Sequence, residues 1–223
     1  MLNFTEKYIQ MTQDNIIYGK NKMDDMHSIL LVAQDDKKFA NCGLWFTTLD
    51  PHEKAIQLAV ALIALRISID PKYSRIKKEL FLKRFLNGAD FISPIGINKI
   101  EKPNLIVFGA DAWSSKHSGD PEENKLQPHE RKDKKDMIVV LAFERGRPNC
   151  AISCFSNIEK KNGQWIITET SKEQNTDEEK GSIPALLSHS FELVDKEDPI
   201  AELSVFMARE KLLQAGIAAP SLN

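Results

Sequence analysis

Four segments in the central and C-terminal parts of the chain have the hydrophobic pattern of β-strands. Residues 104–113, 137–144, 150–156 and 164–170 are rich in β-branched and aromatic side chains. The last three are joined by short connections, "RGRPN" and "EKKNGQ", and the Asn-Gly pair favours a tight hairpin turn. The pattern therefore predicts an antiparallel meander, and segment 137–144, which is apolar on both faces, is predicted to be central.

The N-terminal region adds a helix and a hairpin to this pattern. Phe4, Tyr8 and Ile16 have helix-like spacing, which predicts a helix within the first two dozen residues. Residues 27–50 contain two short apolar segments around the polar sequence "QDDKK", which predicts two strands joined by a turn.

A buried helix is predicted near residues 51–67. Asp50 is placed as the N-cap, Pro51 occupies the first helical position, and Glu53 completes a capping box. The following residues are apolar nearly all round, which is typical of a helix inside a protein.

Similar signals predict two further helices and a loop. Residues 70–88 open with Asp-Pro and end with Asn-Gly, and one face of this helix is basic. Residues 171–181 are charged and are predicted to be a flexible loop, whereas 198–216 form a C-terminal amphipathic helix. Together these elements predict a single α+β domain over residues 1–223, with helices packed on one face of a mainly antiparallel sheet.

Composition and charge exclude several classes of protein. The net charge is −2, and basic and acidic residues are interleaved, which argues against a dedicated nucleic-acid binder. The longest apolar run, residues 58–65, is far shorter than the about 20 residues that span a bilayer. No secretory signal pattern is visible. We therefore expect a soluble, cytoplasmic protein without a membrane segment, and secretion by a route that uses no cleaved signal stays open.

The cysteines also suit a reducing compartment. Cys150 and Cys154 lie four positions apart on one predicted strand, about 13 Å, which is too far for a disulfide. They are expected to be small buried hydrophobic residues.

The segment "FGADAWSSKHSGD" leads from a strand into a long polar loop, residues 113–136. Strand periodicity places Asp111 and Trp113 on the same face, at the rim of the sheet. An acid beside an aromatic ring is typical of a ligand contact. The favoured interpretation is nevertheless structural, with Trp113 covering the end of the sheet and Asp111 pairing with a lysine.

The loop has no recognisable metal or catalytic spacing. His117 and His129 are twelve positions apart in a polar segment, which is unlike the ligand spacing of metal sites. Neither a nucleophile elbow nor a glycine-rich phosphate loop is present. No metal and no cofactor are therefore predicted.

This region resembles an uncharacterised family of bacterial and phage proteins over about 40 residues. In that family an acid-Ala-Trp triplet ends a strand, and a segment like Pro-x-x-x-Pro-Asp-Arg-x-Glu leads into the next one. The triplet here is Asp111-Ala112-Trp113, and the return segment is "PHERKDKKD". The departures from the family pattern are Lys132 for the second Pro, Lys134 for Arg, and Asp111 and Asp136 for Glu. The resemblance implies a site location and no reaction. The matching residues of the return segment are Pro128, Asp133, Lys134 and Asp136.

The resemblance also suggests how the two ends of the loop are held. The strands at 104–113 and 137–144 become antiparallel neighbours, and Asp111 is expected to form a salt bridge with Lys134 under Trp113. The candidate binding residues are Asp111, Trp113, His117, His129, Asp133 and Lys134.

Three functions remain open from the sequence, and whether the protein is an enzyme is not determined. The first, which the sequence favours, is a non-catalytic interaction module that uses the 113–136 loop and the C-terminal helix to bind a protein partner or a second copy. The second is a metal-dependent hydrolase that uses the acids and histidines of residues 111–136. The third is a nucleic-acid accessory protein that uses the basic helix face at 77–84. The C-terminal helix has a broad apolar stripe, which docks either on a partner or on its own domain: Ile200, Leu203, Phe206, Met207, Leu212 and Leu213.

Overall fold

The protein has a six-stranded antiparallel sheet with strand order β2-β1-β3-β4-β5-β6. The computed structural model describes residues 3–23, 28–44, 46, 50–69, 100, 102–115, 121–147, 149–176 and 182–218. The sheet and its helices confirm the predicted α+β fold. The strands are β1 (Ser28–Ala33), β2 (Phe39–Leu44), β3 (Leu105–Ser114), β4 (Lys135–Glu144), β5 (Cys150–Lys161) and β6 (Gln164–Thr176).

The predicted strand pairings are confirmed. β3 and β4 pair along their whole lengths, from Leu105 opposite Glu144 to Ser114 opposite Lys135. β4, β5 and β6 form the predicted meander, with β4 inside the sheet. The β5–β6 turn has positive φ at Asn162 (51°) and Gly163 (80°), as the Asn-Gly signal requires.

β6 is longer than its hydrophobic pattern indicates. Residues 171–176 continue this strand, and Cys150 lies opposite Thr176, so the prediction of a flexible loop is wrong for that part. These residues are polar, and the facing residues of β5, which lie 16 to 26 positions earlier in the chain, supply their backbone hydrogen bonds. Residues 177–181 lie outside the described residues.

The predicted buried helix is confirmed as α2 (Pro51–Ile69). The Asp50 carboxylate accepts hydrogen bonds from the backbone N–H groups of His52 (2.8 Å) and Glu53 (3.0 Å). Leu58 and Leu62 are buried in a cluster that includes Leu30, Ile106 and Phe108 of the sheet. Residues 58–65 are all buried, so the apolar surface of this part of α2 is covered on all sides.

The helices cover both faces of the sheet, so the prediction that they pack on one face is wrong. Tyr8 and Ile16 of α1 (Phe4–Met23) form a second cluster with Leu31 and Val107. Leu30 and Leu31 are adjacent in β1, and successive side chains of a strand point to opposite faces. α1 therefore packs on the face opposite α2, and β1 and β3 contribute buried residues to the clusters on both faces.

α1 approaches the sheet most closely at Gly109. A Cβ atom at this position would lie 2.4 Å from Cγ2 of Thr12 and 2.8 Å from Cδ1 of Ile16. The absence of a side chain at Gly109 therefore permits α1 to cross β3.

The remaining helices are short, apart from the last. They are α3 (Pro121–Lys125), a 3-10 helix (Pro128–Glu130), α4 (Ser182–Ser188), α5 (Ser190–Asp195) and α6 (Pro199–Gln214). α6 confirms the predicted C-terminal helix, and the Asp198 carboxylate caps it by accepting from the N–H groups of Ile200 and Ala201. α4, α5 and α6 all contact α2.

Two further predictions can be compared with the fold. Cys150 and Cys154 are buried and not disulfide-bonded to each other, as expected, and Cys42 is buried too. The helix predicted over 70–88 lies outside the described residues. In the part of the chain that the structure describes, no helix has both the length and the apolar content needed to cross a bilayer.

Candidate interaction surfaces

The end of β3 and the segment that returns to β4 form one candidate surface. We call residues 113–115 and 121–134 the rim. The indole of Trp113 and the imidazole of His129 are in contact, with ring centroids 5.4 Å apart and an angle of 45° between the rings. Antiparallel pairing of β3 with β4 and the 3-10 helix at Pro128–Glu130 bring these two predicted site residues together.

Hydrogen bonds tie the rim together. The Arg131 side chain donates from Nε to the carbonyl oxygen of Leu126 (2.9 Å) and from Nη1 to Oγ of Ser115 (3.0 Å). The Nζ of Lys134 donates to the carbonyl oxygen of His129 (3.0 Å). Arg131, which the sequence pattern did not single out, therefore links the returning segment to the end of β3.

The other predicted residues of the loop are more dispersed. Asp133 and Lys134 are exposed, and Lys134 contacts His129 only through the backbone carbonyl described above. His117 lies outside the described residues. The rim therefore gathers Trp113, His129 and Lys134, in an arrangement that fits the structural interpretation of Trp113 as a cover for the end of the sheet.

Asp111 does not pair with Lys134, and this expectation is corrected. Asp111 is buried and forms an ion pair with Lys20 near the end of α1. The side chain of Asp111 points to the face that α1 covers, and the residue opposite it on β4 is Ile138. Lys134 precedes the first residue of β4, so it cannot reach this buried position.

The ion pair is enclosed by an aromatic side chain and a helix end. The Nζ of Lys20 lies 4.4 Å from the ring centroid of Trp165, which is within cation–π range. Asn21 fixes this part of β6, since it donates to the Trp165 carbonyl (3.0 Å) and accepts from the Trp165 N–H (2.6 Å). Trp165, rather than Trp113, therefore covers the pair.

Burial dominates the electrostatics of this carboxylate. It raises the pKa of Asp111 above the usual value for an aspartate, and the hydrogen bond and charge of Lys20 oppose that shift. The sequence contained one signal for Lys20: it falls seven residues after Gln13 and four after Ile16, on the buried stripe of α1.

The terminal helix α6 forms the second candidate surface. On its inner side, Leu203 and Phe206 are buried in the cluster around α2, and Ile200 and Met207 pack against that cluster. His52 of α2 and the buried carboxylate of Glu210 are 2.8 Å apart, which further holds α6 in place. Most of the predicted apolar stripe therefore docks on the protein's own helices.

The opposite side of α6 is also apolar, and it is exposed. We call this set of residues the outer face of α6. Val205 is 51% exposed and Leu212 is 36% exposed, and alanines occupy the positions between and beside them. The spacing alternates between three and four residues, as in the seam of a coiled coil. The outer face consists of Ala201, Val205, Ala208, Leu212 and Ala215.

The structure describes only part of the residues on which the other two functions depend, the metal-dependent hydrolase and the nucleic-acid accessory protein. Among the described residues, no group of three or more His, Cys, Asp or Glu side chains is arranged to hold a metal ion. His117 and Asp120, which the hydrolase alternative uses, lie outside the described residues. The basic helix face at 77–84 lies outside them too.

Comparisons with known proteins do not assign the chain to a family. No family model, no curated protein and no solved structure matches it. The resemblance of residues 111–136 to the bacterial and phage family stays a prediction.

Proposed function

We propose that this protein is a non-catalytic interaction module that binds a protein partner through the outer face of α6. The observation that supports this proposal is that α6 is apolar on two opposite sides. One side is buried on α2, and the other contains Val205 and Leu212 in exposed positions. A surface helix that packs on its own domain needs only one apolar side.

The spacing of the outer face favours a helical partner. Apolar residues that recur every three to four positions form a straight seam along a helix, and such a seam fits another helix by knobs-into-holes packing. Burial of apolar surface gives about 25 cal/mol per Å², so a partner would gain most at Val205 and Leu212. The charged residues beside these positions, Glu202, Arg209 and Lys211, give orientation to the contact rather than affinity.

Site-specific photocrosslinking in cells that express the chain tests the proposal. A photoreactive phenylalanine analogue at position 205 is expected to give covalent adducts of higher mass. The matched control is the same analogue at Tyr18, which is 64% exposed on α1 and lies away from α6. Adducts at 18 but not at 205, or equal adducts at both positions, contradict the proposal.

A further inference from the structure

We infer that the partner of the outer face of α6 is a second copy of this chain, bound with the two α6 helices antiparallel. This inference rests on the proposed function and adds the identity of the partner and the orientation of the contact. Two properties of α6 support it: the sizes of the side chains along the outer face and the charges beside it.

Side-chain size selects the antiparallel orientation. Alanine alternates with a larger residue along the outer face, in the order Ala201, Val205, Ala208, Leu212. In an antiparallel pair, Val205 of one copy lies opposite Ala208 of the other, and Leu212 lies opposite Ala201. Each layer then combines one large and one small side chain and is evenly filled. A parallel pair would place alanine opposite alanine and leucine opposite leucine, which leaves gaps and crowded layers.

Charge makes the same arrangement self-complementary. Glu202 and Arg209 are one heptad apart on the same flank of the outer face. In the antiparallel pair this flank of one copy lies against the same flank of the other copy. Glu202 of each copy therefore lies opposite Arg209 of the other, and two ion pairs form. Within one chain, Oε1 of Glu202 is 3.9 Å from Nζ of Lys196, at the outer limit of an ion pair. Nε of Arg209 is buried, and it has no hydrogen-bond partner in the part of the chain that the structure describes.

The other flank of the outer face does not oppose this arrangement. Ser204 and Lys211 occupy this flank, and in the antiparallel pair Ser204 of each copy would lie opposite Lys211 of the other. No like charges therefore meet on either side of the seam.

The contact is small, so weak association is expected. α6 has 16 residues, which is about 24 Å of helix, and its seam is shorter than a standard interface. We expect a dissociation constant on the order of 1–100 µM. Sedimentation velocity of the full chain across this range is expected to show a reversible monomer–dimer equilibrium.

The first test places a charge in the centre of the seam. Val205→Glu is expected to weaken dimerisation by at least about 30-fold, as for a central interface residue. Tyr18→Glu puts the same charge on another exposed apolar residue of a helix and is expected to leave dimerisation unchanged. Circular dichroism and thermal unfolding establish that both variants are folded. A dimer that Val205→Glu does not weaken overturns the inference.

The second test uses the predicted ion pairs and distinguishes a second copy from any other partner. Glu202→Arg and Arg209→Glu each replace both attractive pairs of the dimer with repulsive ones, so each variant alone is expected to be monomeric. An equimolar mixture restores both attractive pairs and is expected to form heterodimers. A mixture that stays monomeric, with both variants folded, contradicts the antiparallel arrangement.

The two proposals fail in different ways. A purified chain that stays monomeric over the whole concentration range overturns the inference about a second copy. If position 205 still crosslinks to a protein of another mass in cells, the proposed interaction function stands without it. If position 205 forms no specific adduct, the proposed function itself fails.

Discussion

Lys20 and Asp111 form an ion pair in which both side chains are buried, and among the described residues no other ion pair shares this property. Transferring two charges from water into a protein costs several kcal/mol, and their attraction compensates for this only in good geometry. Here the hydrogen bond between them and the indole of Trp165 supply that geometry. The pair joins α1 to β3 and is best described as a structural element.

Replacing Lys20 alone should be strongly destabilising. Lys20→Met leaves a buried carboxylate without its partner, and we expect the free energy of unfolding to fall by about 3–5 kcal/mol at neutral pH. Urea unfolding measures this change. The double variant Lys20→Met/Asp111→Leu removes both charges and is expected to recover most of the loss, because neither buried charge remains.

The pH dependence of the Lys20→Met variant has a defined sign. Burial already raises the pKa of Asp111 in the native protein, and loss of Lys20 removes the main opposing effect. A carboxyl whose pKa is raised by folding stabilises the folded state below the unfolded pKa of about 4, and this contribution is lost as the pH rises through the folded-state pKa. The difference in the free energy of unfolding between the native protein and Lys20→Met should therefore be smaller near pH 4 than at pH 7. An equal deficit at both values would contradict this account of Asp111.

The docking of α1 on β3 is decided at one position of each element. Gly109 leaves room for Thr12 and Ile16, and the Oγ1 of Thr12 donates to the carbonyl oxygen of Tyr8 (2.8 Å), so this side chain is held in place. The Cδ1 of Ile16 is the end of a flexible side chain and can move. Close packing at this crossing therefore depends on the contact between Gly109 and Thr12.

A methyl group at Gly109 should separate α1 from the sheet. We expect Gly109→Ala to lower the free energy of unfolding by about 1–3 kcal/mol, because the added Cβ overlaps Cγ2 of Thr12. The double variant Gly109→Ala/Thr12→Ser removes the overlapping methyl group and keeps the hydroxyl, so it is expected to recover part of the loss. Denaturant unfolding of the native protein, the two single variants and the double variant measures the coupling between Gly109 and Thr12. Strictly additive changes in the free energy of unfolding would show that the docking of α1 does not depend on this contact.

At the scale of the whole molecule, the sheet is covered on both faces and α6 presents its outer face to solvent. The net charge of −2 is small, so long-range repulsion between copies of the chain is weak. Dimerisation through α6 would cover Val205 and Leu212 without any change in the layers beneath. It would also link the stability of each copy to the protein concentration.

Thermal unfolding at different concentrations follows from this linkage. Between about 1 and about 100 µM protein, the Tm is expected to rise by about 1–4 °C, because only the folded chain dimerises. Val205→Glu should abolish this dependence, and Tyr18→Glu should retain it. Differential scanning calorimetry measures both, and a Tm that does not change with concentration contradicts self-association in this range.

The prediction of the site from the sequence was less complete than that of the elements. Asp111 pairs with a lysine, as the structural interpretation expected. The contact between Trp113 and His129, two of the candidate residues, was not predicted. The predicted partner, Lys134, was wrong, and the partner is Lys20 of α1. The pattern at one rim of the sheet contains no information about α1, which is about 90 residues away in the chain. The exposed apolar side of α6 was also missed, because the sequence of a helix does not distinguish the apolar residues that are buried from those that are exposed.

The sequence by itself determined those features whose causes are local. Caps, apolar periodicity and the Asn162-Gly163 turn specify α2, α6 and the meander, because each depends on residues within a few positions of one another. Only the tertiary structure decided which faces are buried, where β6 ends and which lysine meets Asp111. These depend on contacts between segments distant in the chain, and the free energy of such contacts comes from burial and pairing that no single segment contains.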